Sequence, residues 1–403
     1  NMIKMCGTHS TIENIKQRCS LSWFRDVNLM TNLDQEPHVF GVANGVLAFE
    51  EQAKFLENNN YFQITRTTDT RYIPYDANHK YIKKVEKVLA EIFPDQKKRE
   101  GILMHLSTSF ISSYATRYFN IFYSGGSSGK SILMNFIQNA FGMIGDSKYG
   151  PNFGYYDTVD ANVFLQDKQD VNGVDHHLGK LEHPRFVQCP EGKGGLIQPH
   201  IFKKLRDGIG VRGIYQSVRN IVFPGIIAYI TNNQPRFLTY NYALSRRFLY
   251  YRFTETFKHD PNPENSHEHL RDNSLNDKSL KNKNWGEAFL SILVHHYNLY
   301  KKKYKDIEQI YTESGLAAET QEYLDSQHYM SQFITKCVKP DDSCKITVLE
   351  FCTTYACWYK STLNLPRDIP SETFTVEAKE MLDKYLIMEN KTEYFSGIRL
   401  EIE

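Results

Sequence analysis

The stretch "YFNIFYSGGSSGKSILMNFIQNA", residues 118 to 140, constrains this chain more than any other, because three kinds of local structure meet in it. The apolar run Phe119 to Phe122 reads as a buried strand, and Ile132 to Ala140 has helical spacing. Between them Gly125, Gly126, Ser127, Ser128 and Gly129 supply a small, permissive turn. A strand, a glycine-rich turn and a helix in that order aim backbone N–H groups and a helix N-terminus at one point, where a phosphate is stabilised. Lys130 and Ser131 follow, an ammonium suited to the outer phosphates and a hydroxyl suited to Mg²⁺. The strict pattern GxxxxGK[ST] is met except at its first glycine, where Ser124 stands. A rival, "EGKGG" at 191 to 195, lacks both the hydroxyl residue and a following helix, and is rejected as the phosphate loop.

The runs around this loop predict the fold class. "RFVQC" (185 to 189), "RNIVF" (219 to 223), "GIIAYIT" (225 to 231) and "FLYYRF" (248 to 253) are strand-like and separated by helical patterns. Buried strands joined by helices imply an α/β core with a largely parallel sheet. Upstream, "VFGVANGVLAFE" reads as a hairpin turning at Asn44-Gly45. "YIKKVEKVLAEIF" has apolar residues at 82, 85, 88, 89, 92 and 93, a helix that Pro94 ends. The polar stretch 258 to 284 reads as an exposed loop or linker. The chain therefore divides into a mixed α+β part, 1–98, an ATPase-like core, 99–284, and a mostly helical part, 285–403.

Composition excludes some function classes. The formal charge is +1, so nucleic-acid contact has to come from a local patch such as the inside of a ring. Seven cysteines include no CxxC pair, and no apolar stretch reaches the roughly 18 residues needed to span a bilayer. A reduced, cytoplasmic setting without a membrane is expected. The chain begins at Asn1 with no recognisable signal peptide, so further domains are expected upstream.

Downstream features fall in a telling order. Glu191 follows the strand "RFVQC" and places a carboxylate where Mg²⁺ or an attacking water would need one. Asn232 follows the apolar strand "GIIAYIT" and is placed to orient a water against the γ-phosphate. Arg246 and Arg247 stand side by side before "FLYYRF". Each feature alone also suits a bland surface residue or a turn.

The ordered set "GGSSGKS", "VQCPEG", "AYITNNQPR" and "ALSRRFLYYRF" resembles the superfamily 3 helicases, specifically the poxvirus and phage or plasmid primase-helicase group. "VFGVANGVLAFE" ahead of the core, and "AAETQEYLDSQHYMSQFITKC", "LEFCTTYACWY" and "YFSGIRL" after it, extend the likeness from about residue 38 to about 400. The resemblance implies a P-loop, AAA+-like core and a ring, usually hexameric, that binds ATP between subunits and passes single-stranded DNA through its centre. Residues Gly125, Gly126, Ser127, Ser128, Gly129, Lys130, Ser131 and Ile132 then hold the nucleotide, with Ser131 and Glu191 toward Mg²⁺. Glu191 matches the acidic Walker B position, Asn232 the sensor, and Arg246 or Arg247 the finger given to a neighbour. It also implies an upstream primase or polymerase domain. One departure stands out: Cys189 occupies a position where the family commonly has an acid.

The family's DNA-contacting hairpin corresponds to "HIFKKLRDGIGVRGIYQSVRNIVF". Its Lys203, Lys204, Arg206, Arg212, Tyr215 and Arg219 alternate with apolar residues, so that cations track a backbone and Tyr215 stacks on a base. Lys203, Lys204 and Arg206 equally suit the solvated face of a helix. His176, His177 and His183 show no metal-ligand spacing, and the lysine run 301 to 305 reads as a solvated helix end. Two other functions remain open: a DNA-binding ring or loader that does not translocate, and a small-molecule kinase that uses the phosphate loop alone.

Overall fold

The computed structural model describes residues 34, 36–57, 64–111, 118–144, 153–164, 183–190, 196–197, 208–211, 219–221, 223, 225–237, 248–365 and 368–401. Strands β1 (Val39–Val42) and β2 (Gly45–Phe49) form a hairpin, and β3 (Ala53–Leu56) pairs antiparallel with β2. The turn is Ala43–Asn44, one residue earlier than expected. Asn44 is anchored there because its side chain accepts from the backbone N–H of Tyr72 at 2.8 Å and donates to the Tyr72 carbonyl at 3.0 Å. Helix α1 (Lys80–Ile92) buries Ile82, Val85, Val88, Leu89 and Ile92, the stripe its spacing marks. Asp95 then caps helix α2 (Gln96–Ser107), accepting from the backbone N–H of Lys98 at 3.0 Å.

The central elements follow as β4 (Phe119–Tyr123), α3 (Lys130–Phe141), β5 (Tyr156–Thr158), β6 (Phe186–Cys189), β7 (Leu196–Ile197), β8 (Ile209–Val211), β9 (Arg219–Ile221), β10 (Ile226–Thr231), β11 (Arg236–Phe237) and β12 (Phe248–Arg252). Five of them make one sheet in the order β12-β4-β10-β6-β5, with every neighbouring pair parallel. Alternation sends each strand to two cores. Phe122, Ala228, Ile230, Leu249 and Tyr251 join one apolar cluster, while Phe119, Ile121, Ile227, Tyr229 and Tyr250 join the other. Burial on both faces explains why these strands read as unbroken apolar runs. Asn120 is the polar exception in β4. Its amide donates to the carbonyls of Ile227 at 3.0 Å and Tyr118 at 3.1 Å, and its oxygen accepts from the Tyr251 hydroxyl at 3.2 Å.

Beyond β12 the stretch 258 to 284 is exposed along most of its length, as its composition suggests, yet it carries short regular elements. Strands β13 (Thr256–Lys258) and β14 (Glu268–Leu270) pair in parallel, and a short helix, α4 (Asp277–Leu280), follows. Helix α5 (Lys283–Lys303) packs against α1, α2 and α3, burying Trp285, Phe289, Ile292 and Leu293. It ends in the lysine run, where Lys303 pairs with Glu313 at 3.0 Å on the surface. Helices α6 (Ile307–Glu313) and α7 (Leu316–Ser326) come next. The first apolar cluster runs from Phe40 to Leu316, across the positions 98/99 and 284/285.

The last part has a separate core. Helix α8 (Tyr329–Cys337), strand β15 (Val338–Thr347), helices α9 (Val348–Leu363) and α10 (Thr375–Met381), and strands β16 (Leu386–Glu389) and β17 (Thr392–Leu400) enclose Phe333, Phe351, Tyr355, Phe374 and Phe395. Its sheet is antiparallel in the order β15-β17-β16. In α9 Cys352 packs in the core, whereas Cys357 is exposed. Among the described residues no helix is long and apolar enough to cross a membrane.

Candidate nucleotide-binding site

The parallel sheet determines where the site forms. In β10 Thr231 lies opposite Tyr123 of β4, and in β12 Arg252 lies opposite the same Tyr123, so three strands end at one level. Strand β4 is the first in the chain but sits between the fourth and the fifth, and such a reversal of strand order leaves a crevice at the carboxyl ends. The loop 124 to 129 crosses this crevice and enters α3.

The loop's shape follows from its small residues. Gly126, Ser127 and Gly129 all have positive φ, at 112°, 49° and 85°. Gly129 is required on two counts: its left-handed backbone, and an approach so close that a Cβ would meet Ile92 Cγ1 at 2.6 Å. Ser124, standing for the first glycine of the strict pattern, is the hub. Its Oγ accepts from the Gly126 N–H at 3.2 Å, from the Ser128 hydroxyl at 2.7 Å, and from the Lys130 ammonium. A serine here therefore does work that a glycine cannot, drawing the two sides of the loop together.

Lys130 is buried, and its Nζ also donates to Asn232 Oδ1 at 2.8 Å. The ammonium after the glycine-rich turn and the amide that follows β10 are thus brought into contact. Thr231 holds the following turn: its hydroxyl donates to the Asn233 carbonyl at 2.5 Å and accepts from the Asn233 N–H at 3.0 Å. Ser131 is exposed in the first turn of α3, whose 12 residues direct their N-terminal dipole at the loop.

Cys189 ends β6 inside the second apolar cluster, paired with Tyr229. Burial pushes its thiol far above the ordinary range, and a soft sulfur is in any case a poor match for Mg²⁺, which takes oxygen ligands. Among the described residues no group of three or more His, Cys, Asp and Glu could hold a metal ion. A Mg²⁺ bound through one hydroxyl, one carboxylate, phosphate oxygens and water needs no such cage, and Ser131 fits that pattern.

Other expected site residues fall elsewhere. Glu191, Arg246, Arg247, Lys203, Lys204, Arg206, Arg212 and Tyr215 lie outside the described residues, as do His176 and His177. Arg219 begins β9, which pairs antiparallel with β8, Val211 opposite Arg219.

The segment after β12, read from its polar composition as a loop, also reaches the site. The Phe257 N–H donates to the Ser127 carbonyl at 2.8 Å, which seats this segment on the phosphate loop. Glu255 within it is 3% exposed and binds His267 Nδ1 at 2.9 Å and His269 Nε2 at 2.5 Å. His269 lies in β14 and His267 in the turn just before it, where the Asn265 side chain accepts from the His267 N–H at 3.1 Å.

Comparison with known proteins adds a second line of observation. No protein-family profile matches the chain. A protein of African swine fever virus whose name proposes a primase is 26% identical over 386 residues, covering 94% of this chain and 39% of its own length. A protein of Acanthamoeba polyphaga mimivirus whose name proposes a helicase is 24% identical over 367 residues, covering 88% of this chain and 36% of its own. The chain therefore spans well under half the length of these relatives. Among solved structures, the apo C-terminal region of NrS-1 is 12% identical with a TM-score of 0.38, covering 89% of this chain and 95% of that one, too loose a likeness to argue from. By sequence, along nearly its whole length, the chain is a homologue of these viral proteins, and their names are in keeping with the viral primase-helicase group that its motifs resemble.

Proposed function

We propose that the chain is the motor part of a viral replication helicase, hydrolysing ATP at the subunit interfaces of a hexameric ring and moving along single-stranded DNA. The observation that supports this best is the 2.8 Å contact between Lys130 and Asn232 at the carboxyl ends of adjacent parallel strands. That contact joins the two motif residues that would flank a γ-phosphate. In this reading the P-loop, AAA+-like core occupies 99–284, between a mixed N-terminal part, 1–98, and a C-terminal part, 285–403. The loop from Gly125 to Ser131, with Ile132, cradles the phosphates through backbone N–H groups, and Lys130 turns from Ser124 and Asn232 toward them. Ser131 and Glu191 hold Mg²⁺, which neutralises charge on the phosphate oxygens. Glu191 and Asn232 position the water, and Arg246 or Arg247 reaches the neighbour's nucleotide. Lys203, Lys204, Arg212, Tyr215 and Arg219 line the DNA path. A primase or polymerase domain precedes this part, and the protein acts in the cytoplasm of the host cell.

The test is ATP hydrolysis measured with and without single-stranded DNA. A motor shows hydrolysis that DNA stimulates; hydrolysis indifferent to DNA would favour a non-translocating ring, the reading to which the buried thiol at Cys189 lends weight. At least one of Arg246→Ala and Arg247→Ala should lose about 10³ to 10⁵ in rate. Mixing that inactive variant with Lys130→Ala should restore part of it, because some interfaces then pair an intact loop with an intact arginine. Loss without rescue under subunit exchange would place the arginine's action within its own subunit.

A further inference from the structure

A cavity of about 380 Å³ opens beside the start of the phosphate loop, lined by Tyr123 and Arg252 at the paired ends of β4 and β12, by Gly125 of the loop, and by Asn265, His267 and Glu268. Its far wall is built and not merely draped. The buried Glu255 carboxylate grips His267 and His269, which belong to the segment that pairs β13 with β14. Glu268 accepts from Lys258 Nζ at 2.7 Å, from the Asn262 N–H at 3.0 Å and from Asn265 Nδ2 at 3.1 Å. The bond from Phe257 to Ser127 ties this wall to the loop.

The lining speaks to the ligand's chemistry. The volume lies within the range of small-molecule sites, about 300 to 1,000 Å³. Tyr123 and Arg252 are among the lining residues, the Tyr123 ring backed by Tyr250 at 5.8 Å between centroids, and a tyrosine ring and a guanidinium are groups that stack on a heteroaromatic base. The Glu268 carboxylate disfavours a further anion at this end, and suits a donor such as a sugar hydroxyl. Because a carboxylate only accepts, a proton of His267 sits on Nδ1 toward Glu255, which fixes the ring's orientation and turns its opposite edge away from that carboxylate. A polar, partly aromatic chamber contiguous with a phosphate loop fits the rest of a nucleotide better than a second phosphate group.

We propose that this cavity takes the nucleoside end, ribose and base, of the nucleotide whose phosphates the loop holds, with His267 contacting it and Glu255 acting as the residue that positions His267. The proposal rests on the phosphate-loop reading above, and the experiment separates the two. Binding of ATP and of inorganic tripolyphosphate is measured by calorimetry on the parent chain, on His267→Ala and on His267→Gln, with melting temperatures confirming that each variant is folded. The expected result is that the parent binds ATP at least about tenfold more tightly than tripolyphosphate, and that His267→Ala weakens ATP by about that factor while leaving tripolyphosphate unchanged. His267→Gln, which keeps a hydrogen-bonding side chain, should fall between. Equal binding of the two ligands by the parent, or a proportional loss of both in His267→Ala, overturns the nucleoside site and leaves the phosphate loop standing. If neither ligand binds the parent, the phosphate-loop reading has failed and this proposal fails with it.

Discussion

The glycine-rich loop 124 to 129 is held from two sides by two kinds of structure. On one side is the five-stranded sheet, where Ser124 N–H donates to the Thr231 carbonyl at 3.3 Å and apolar side chains fill both faces. On the other is the segment from Phe253 to Leu270, which meets Ser127 through Phe257 and is organised around a buried carboxylate, two histidines and turns made by Asn262 and Asn265. Apolar burial is non-directional and shared among many residues, so the sheet should unfold only with the whole core. A polar network depends on a few directed bonds, so the second side should be able to open alone. If the comparison is right, substitutions on the sheet side act on global stability, and those on the other side act locally.

The largest effect is expected at Phe122. It is fully buried in β4 and stacks on Tyr251 at 4.7 Å between ring centroids. Phe122→Ala should cost about 3 to 5 kcal/mol in denaturant unfolding, from lost burial and the cavity left behind. A cost below about 1 kcal/mol would mean that the sheet is not the cooperative core. Next comes Lys130→Ala, which removes the loop's ammonium. Phosphate release should fall by about 10² to 10³, the usual penalty for deleting a charge-stabilising donor; hydrolysis at the parent rate would refute the nucleotide site.

Gly129→Ala tests the joint between the loop and the sheet side. The left-handed backbone alone should cost about 1 to 2 kcal/mol, and the 2.6 Å approach to Ile92 adds to it. The loss should appear in thermal melting as well as in nucleotide affinity, because the clash is with α1 in the core. Lost affinity with unchanged melting would show that the loop moves independently of α1.

These two sides also differ in how far they could be read from the sequence. Strands β4, β10 and β12 and helix α1 announced themselves, because apolar burial leaves a periodic trace that survives without knowledge of contacts. Within the site, Lys130 and Asn232 were expected to share one nucleotide, and they touch. Ser124 read as a defect in the glycine pattern, yet it is the hub of the loop; its value lies in three bonds that no spacing rule encodes. The segment 258 to 284 read as a linker because its order comes from charge and amide pairing, and polar composition predicts exposure before it predicts structure. Glu255 shows the limit most sharply: a carboxylate between Thr254 and Thr256 carries no mark of burial until His267 and His269 fold back onto it.

The smallest global effect is expected at that carboxylate, and it sharpens the comparison most. Burial alone would raise the Glu255 pKa, but hydrogen bonds from His267, His269 and Thr254 hold it below its ordinary value. A carboxyl depressed in the folded state contributes stability above its unfolded pKa, about 4.3, and loses that contribution as pH falls through the folded value. Glu255→Gln keeps the shape and removes the charge, so near neutral pH it should loosen the segment from Thr256 to Leu270. The expected readout is faster amide hydrogen exchange confined to that segment, with global stability changed by less than about 1 kcal/mol. Comparing parent and variant at each pH cancels the intrinsic pH dependence of exchange. The parent's protection should persist from neutral pH down to about pH 5 and then converge on that of the variant as Glu255 takes up its proton. A variant that melts as a whole several degrees early would show that the segment belongs to the same cooperative unit as the sheet. Parent and variant exchanging alike at neutral pH would show that the carboxylate does not hold the wall, and that Phe257 and the strand pairing suffice.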